Sequence, residues 1–138
     1  MDCTVKIITE LNDREAAELL ELFAGAEFAE LTDGSEWLNA AVKGSMLAAG
    51  AFAPDGSLIG FARVLGDGNS DCYIQDVTVR SDCRKQGIGQ ALVKFLIAEL
   101  RARNIDWIGL IATPGKADFY RKMGFEVMEN HTPMRLKE

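Results

Sequence analysis

The chain has 138 residues, of which 48% are hydrophobic and 26% charged, with a formal net charge of −6. This length suits a single domain over residues 1–138 with a real core, and with no run of 18 apolar residues nothing points to a membrane. The acidic balance argues against a nucleic-acid surface, which needs clustered Lys and Arg, and favours cationic substrates at long range.

Residues 5–8 read as a first short strand. Asn12 with Glu15 three positions on makes a capping-box pattern, and Ala16, Leu19, Leu20 and Phe23 then recur at helical spacing. A second helix is predicted over residues 35–42, with Trp37, Leu38 and Ala41 inward, after breaks at Gly25 and Asp33-Gly34. Residues 46–53 and 58–65 read as strands around the turn Pro54-Asp55-Gly56-Ser57, and a second turn at residues 66–71 leads into a strand at 72–79. A helix over residues 88–103 carries Leu92, Val93, Phe95, Leu96 and Leu100. Residues 107–112 form a short buried strand, broken by Thr113-Pro114-Gly115, and residues 116–123 a compact helix ending at Gly124, a C′ glycine. Residues 125–128 and 134–137 are expected as a closing strand pair. The order β-α-α-β-β-β-α-β-α-β-β predicts an α/β fold (an α+β mixed sheet), mostly antiparallel, with helices on both faces.

Cys3, Cys72 and Cys83 show no Cys-x-x-Cys spacing, and His131 is the one histidine, so no metal site and no disulfide scaffold are expected. The start Met1-Asp2-Cys3-Thr4 lacks the pattern of a secretory leader, and a reducing cytoplasm is the simplest home.

Arg84-Lys85-Gln86-Gly87-Ile88-Gly89 joins an apolar strand to an amphipathic helix. A loop that opens directly into a helix leaves main-chain N–H groups unpaired at the positive end of the dipole. Two glycines let an anion approach them closely, so the place suits phosphate. A dinucleotide fold would want a third glycine where Ala91 and Leu92 stand, and a P-loop would want Lys-Ser/Thr where Gln90 follows Gly89.

Three segments in series resemble the GNAT superfamily of acyl-CoA-dependent N-acetyltransferases. They are Ile74-Gln75-Asp76-Val77-Thr78-Val79, the loop Arg84 to Gly89, and Ala117-Asp118-Phe119-Tyr120-Arg121-Lys122-Met123-Gly124-Phe125. The second is similar to the family's Arg/Gln-x-x-Gly-x-Gly/Ala loop. The third is similar to its Ala-x-x-Phe-Tyr-x-x-x-Gly-Phe segment, with one residue fewer before the aromatic pair. The resemblance implies a sheet splayed between strands four and five, and acetyl-CoA as acyl donor. Its pantetheine would lie along Val77-Thr78-Val79, with main-chain bonds from Val77 and Val79. The side chains of Arg84 and Lys85 would be direct phosphate ligands or else solvated loop charges. Amides of Lys85, Gln86, Gly87, Ile88, Gly89 and Gln90 would hold the pyrophosphate, and Lys116 and Phe119 would flank the thioester end. Many family members carry an asparagine after the fifth strand where this chain has Ala112-Thr113-Pro114, so that contact is either absent or replaced by Thr113.

Acyl transfer to an amine needs a proton acceptor, a donor to the carbonyl and an acid for the leaving thiolate. A free alkylamine of pKa about 10.4 is neutral only about once in 2,500 molecules at pH 7. The resemblance makes Tyr120 the general acid, the alternative being packing between helix and sheet. Asp76 sits in an otherwise apolar strand and faces opposite to Val77; it is the candidate base, or else it pairs with a basic residue. Glu27, Glu30, Asp33 and Glu36 are substrate-facing acids or a solvated face. The leading expectation is N-acetylation of a small primary amine by direct attack in a ternary complex. The alternatives are a protein or peptide acetyltransferase and a CoA-binding module without turnover. A homodimer is a further possibility, since many relatives pair through their C-terminal strands.

Overall fold

A computed structural model of the protein describes residues 2–138. Strand β1 (Thr4–Ile7) leads into helix α1 (Asp13–Gly25). The capping box forms: Asn12 Oδ1 accepts from the Glu15 amide at 2.8 Å, and Glu15 Oε1 accepts from the Asn12 amide at 3.0 Å. A short 3-10 turn at Leu31–Asp33 precedes α2 (Glu36–Lys43). Leu38 and Val42 face inward there, while Trp37 lies on the surface and its indole N–H donates to the Gly34 carbonyl at 3.1 Å. The expectation that Trp37 points inward is therefore corrected. An indole needs an acceptor for its N–H, and the turn before α2 supplies one outside the core.

Strands β2 (Leu47–Phe52), β3 (Leu58–Gly66) and β4 (Asp71–Val79) form an antiparallel meander. Helix α3 (Ile88–Ala102) crosses back to β5 (Trp107–Gly109), which pairs parallel with β4, and α4 (Ala117–Arg121) follows. The sheet runs β1-β2-β3-β4-β5. Two cores flank it. Leu19, Leu22, Phe23 and Leu38 meet Phe52, Leu58 and Phe61 on one face, and Leu92, Val93, Leu96 and Leu100 meet Ala62, Val64, Cys72 and Ile74 on the other. This is the mixed sheet with helices on both faces that the element order requires.

Two irregularities in β4 position everything that follows. Phe61 pairs with Thr78 but Arg63 with Gln75, so Asp76 and Val77 together stand opposite Ala62 in a bulge, with Asp76 at φ 59°. One extra residue inverts the alternation. Cys72 and Ile74 enter the α3-side core, whereas the Thr78 hydroxyl donates to the Leu22 carbonyl of α1 at 3.3 Å, and Val77 and Val79 pack on the α3 side. The second irregularity is the splay. β5 pairs only with Asp71, Cys72 and Tyr73, and the rest of β4 runs on without a neighbour on that side.

The chain's end departs from expectation. β5 is three residues rather than six, and no strand forms over residues 125–128 or 134–137; Met134 and Leu136 are almost fully exposed. The last ten residues carry only those two large apolar side chains and Pro133, which lacks a donor for a sheet ladder. Their burial is too small to offset the entropy of ordering them. Gly124 does end α4 as expected. Its amide donates to the Arg121 carbonyl and that of Phe125 to the Tyr120 carbonyl, with Tyr120 and Phe125 in ring contact at 5.9 Å: a Schellman close.

Candidate active site

The start of α3 is an open cradle of main-chain donors. Gly87 occupies the N-cap position with φ 83°, and no side chain caps the helix. The first intrahelical bond is that of the Ala91 amide to the Gly87 carbonyl, so the amides of Ile88, Gly89 and Gln90 have no partner within the helix. No acidic side chain stands in the first turn to neutralise the dipole. Lys85 also adopts a positive φ, 63°, so the backbone reverses hand twice within three residues. Alternation of this kind turns successive N–H groups toward one side, the geometry of an anion nest. Arg84, Lys85, Gln86 and Gly87 are all exposed, which leaves the cradle accessible.

The edge of β4 beyond the splay opens into the same space. The Arg80 amide donates to the Ile59 carbonyl at 2.8 Å, which makes Val79 and Gly60 a non-hydrogen-bonded pair. Val79 therefore aims its own N–H and C=O away from β3, toward the gap. Nε of Arg84 donates to that carbonyl at 3.1 Å. Thr78 contributes no side chain here, since its hydroxyl is held on the α1 side.

Gly89 ties the three motifs together. A Cβ there would stand 3.3 Å from Cζ of Phe119 and 3.6 Å from Cγ2 of Val79. Strand β4, the head of α3 and α4 thus converge on a residue whose lack of side chain permits the approach. Phe119 and Tyr120 are half-buried, their rings edge to face at 4.9 Å. Burial pushes the Tyr120 hydroxyl above its ordinary pKa of 10, so it stays protonated through neutral pH. Lys116 sits at the N-cap of α4 and is exposed, with no side-chain hydrogen bond to the cap.

Asp76 lies on the opposite face, toward α2, as its facing relative to Val77 requires. Its Oδ2 accepts from Nε of Arg63 at 2.6 Å, and Nη1 of Arg63 donates to the Ala41 carbonyl of α2 at 3.4 Å. Both side chains are about four-fifths buried, at 19% and 21% exposure. Arg63 is the partner of Asp76 that the reading of the sequence missed, although a lone cation inside the apolar run of β3 was its signal. Of the acids between the first helices, Asp33 is engaged locally, its Oδ2 accepting from the Glu30 amide at 2.8 Å, while Glu27, Glu30 and Glu36 are on the surface. Cys72 and Cys83 are buried, and burial pushes both thiols up, away from the thiolate a nucleophile needs. A cavity of about 510 Å³ lies elsewhere, between the end of α3, Ile108 and Phe125; a smaller one of about 240 Å³ touches Val79, Arg80 and Arg84 beside the cradle. The smaller adjoins the cradle and the Val79 edge, while Arg101 and Asp106 line the larger.

Comparison with known proteins bears on the family and the fold. Serotonin N-acetyltransferase 2 of rice is 39% identical over 70 residues, 51% of this chain and 35% of that protein. GCN5-related N-acetyltransferase 2 of Arabidopsis thaliana is 42% identical over 69 residues, 50% of this chain and 27% of that protein. The matched stretch thus spans about a third of the length of these curated relatives. A GNAT-family acetyltransferase of Streptococcus pneumoniae superposes with a TM-score of 0.80 at 26% identity, covering 99% of this chain and 98% of that one. The model of the acetyltransferase (GNAT) domain matches residues 48–127, which hold β3, the bulged β4, the cradle and α4, and the chain belongs to that family.

Proposed function

We propose that the protein transfers an acetyl group from acetyl-CoA to a primary amine of a small molecule, by direct attack in a ternary complex. The observation that carries this is the convergence at Gly89, where open amides for a diphosphate, an outward-facing Val79 edge and the Phe119-Tyr120 pair meet at one end of the splay. The residues present fit the donor. Uncapped amides from Lys85 to Gln90 hold the diphosphate, Val77 and Val79 offer strand-like pairing to the pantetheine amides, and Phe119 walls the thioester end. Acetyl-CoA supplies an acyl carbon already activated as a thioester.

The chain's own groups then manage two protons. As the amine nitrogen bonds to the acyl carbon and the carbon–sulfur bond breaks, Tyr120 gives its hydroxyl proton to the departing sulfur. The ammonium proton passes to Asp76 or to a water held by its carboxylate. With the donor filling the α3 side, the acceptor reaches the splay from the α1-α2 side, where Asp76 stands. A peptide acceptor remains the second reading, since a Glycine max protein 42% identical over 69 residues is named a histone acetyltransferase.

Release of free thiol from acetyl-CoA in the presence of an amine panel tests the proposal, with calorimetry of CoA binding alongside. Binding with amine-dependent thiol release is expected. Binding without release against any amine or peptide would reduce the protein to a CoA-binding module, and no binding would end the proposal.

A further inference from the structure

We propose that Tyr73 and Trp107, seated over Gly109, wall the acceptor subsite and select a primary amine carried on a flat aromatic body; this rests on the acetyl-transfer reading above. On the α1-α2 face of the sheet, α1 packs on β3 and reaches β4 at Thr78, but the rings of Tyr73 and Trp107 beyond it stay open to solvent. Tyr73 is 47% and Trp107 36% exposed, and their rings meet edge to face at 5.2 Å. The indole does not stand off the sheet above its own Cα. It lies along the strand, such that a Cβ on residue 109 would fall 2.5 Å from Cη2 and 2.6 Å from Cζ3 of Trp107, and 3.3 Å from Cε1 of Tyr73. Only a glycine at 109 admits this pose.

The direction matters, because Tyr73 and Gly109 are the last paired residues before β4 and β5 part. The two rings therefore sit at the mouth of the splay, on the side opposite α3, where an acceptor enters. Exposed aromatic surface is costly to leave in water unless something covers it. Asp76 lies three residues further along the same strand, about 10 Å at the usual rise. That span fits a ring on the wall, a two-carbon arm, and a nitrogen bonded to the carboxylate oxygen that Arg63 leaves free. Since Arg63 already neutralises Asp76, a polycation gains little at this point. Discrimination falls to the apolar body of the acceptor rather than to its charge.

The test is steady-state acetylation by the full chain of tryptamine, 2-phenylethylamine, n-butylamine and spermidine, with acetyl-CoA binding followed by calorimetry. The arylethylamines are expected to exceed the other two in kcat/KM by about tenfold, the scale of one well-made aromatic contact. Trp107→Ala should erase most of that ratio through KM, Trp107→Phe should keep most of it, and Gly109→Val should behave like Trp107→Ala by displacing the indole. Tyr73→Ala, which removes an exposed ring, gives a second measure if Gly109→Val fails to fold. Preference for spermidine or n-butylamine, or a ratio unmoved by Trp107→Ala and Tyr73→Ala, overturns the proposal while thiol release still upholds acetyl transfer. Loss of a dimer on sedimentation of Trp107→Ala, with the ratio unmoved, would assign the wall to a second copy and likewise overturn it. Absence of acetyl-CoA binding is a separate result and removes the transfer reading itself.

Discussion

On the side of β4 that faces α3, the groups left open are main-chain amides and carbonyls, at Val79 and from Lys85 to Gln90. On the side that faces α1 and α2, they are side chains gathered from three strands: Arg63 of β3, Tyr73 and Asp76 of β4, and Trp107 of β5. The first side needs only a backbone path, so it can serve one invariant ligand on any chain that follows that path. The second is specific to the residues present, and under the proposed function it is where the acceptor would be chosen. The bulge at Asp76 separates the two sides, since its extra residue sends Val77 toward α3 and leaves Asp76 toward α2.

If the donor side is backbone geometry alone, conformation and not crowding should decide binding. No atom lies within 4 Å of a Cβ placed on Gly87, but its φ is 83°. A β-branched residue resists that region, whereas asparagine tolerates it. Gly87→Val should weaken acetyl-CoA binding by about 100-fold, the scale of losing one or two charge-assisted hydrogen bonds, while Gly87→Asn stays within about threefold of the parent. Equal losses in both variants, measured by calorimetry, would mean that crowding rather than handedness governs the loop.

Chemistry should separate from binding at Tyr120. Tyr120→Phe is expected to lower kcat by about 10²-fold, in the lower range for general acid catalysis, with acetyl-CoA affinity nearly unchanged. Because burial raises this hydroxyl above 10, the acid form persists across neutral pH, and the limb it controls should fall only at pH values above 10. A pH profile of kcat that already declines between 7 and 9 through this limb would remove Tyr120 as the acid.

The same contrast explains what could be read from residue order. The cradle was legible because glycine spacing and the switch from strand to helix encode a backbone path directly. The Asn12-Glu15 cap, the helices and the four longer strands followed from local pattern in the same way. Trp37 misled because periodicity assigns an indole to the apolar face and is blind to a carbonyl such as that of Gly34. The closing strands misled because alternation at Phe125 and Met134 says nothing about whether a ladder exists to receive them. The face toward α1 and α2 was half visible: Asp76 stood out as a charge in an apolar strand, whereas Arg63 was passed over although it lies in the apolar run of β3. Their pairing depends on a register slip between β3 and β4 that neither segment announces alone.

The acceptor side can be broken at that pair. With both side chains about four-fifths buried, Arg63→Met strands a carboxylate and should cost about 2–3 kcal/mol of stability, below the loss for a fully buried pair. That corresponds to a fall in Tm of about 5–12 °C for a chain this size. Adding Asp76→Asn should restore part of the loss, and a coupling energy near zero in the double-mutant cycle would show that the two groups ignore each other. Asp76→Asn alone should change the pH dependence of kcat/KM. An unaltered profile would return Asp76 to a purely structural role.

The smallest effect is expected at Arg84, where two contributions oppose each other. Its charge lies at the rim of the cradle and favours a diphosphate, yet its Nε holds the Val79 carbonyl that the pantetheine arm would use. Arg84→Gln should weaken acetyl-CoA binding by about threefold at low salt, the scale of one exposed charge contact. At 1 M salt, where the screening length is only about 3 Å, the charge contribution fades while release of the carbonyl does not. Affinity of the variant should then equal or exceed that of the parent. A threefold loss that persists unchanged at high salt would make Arg84 a direct ligand, and the donor side would no longer be built from main chain alone.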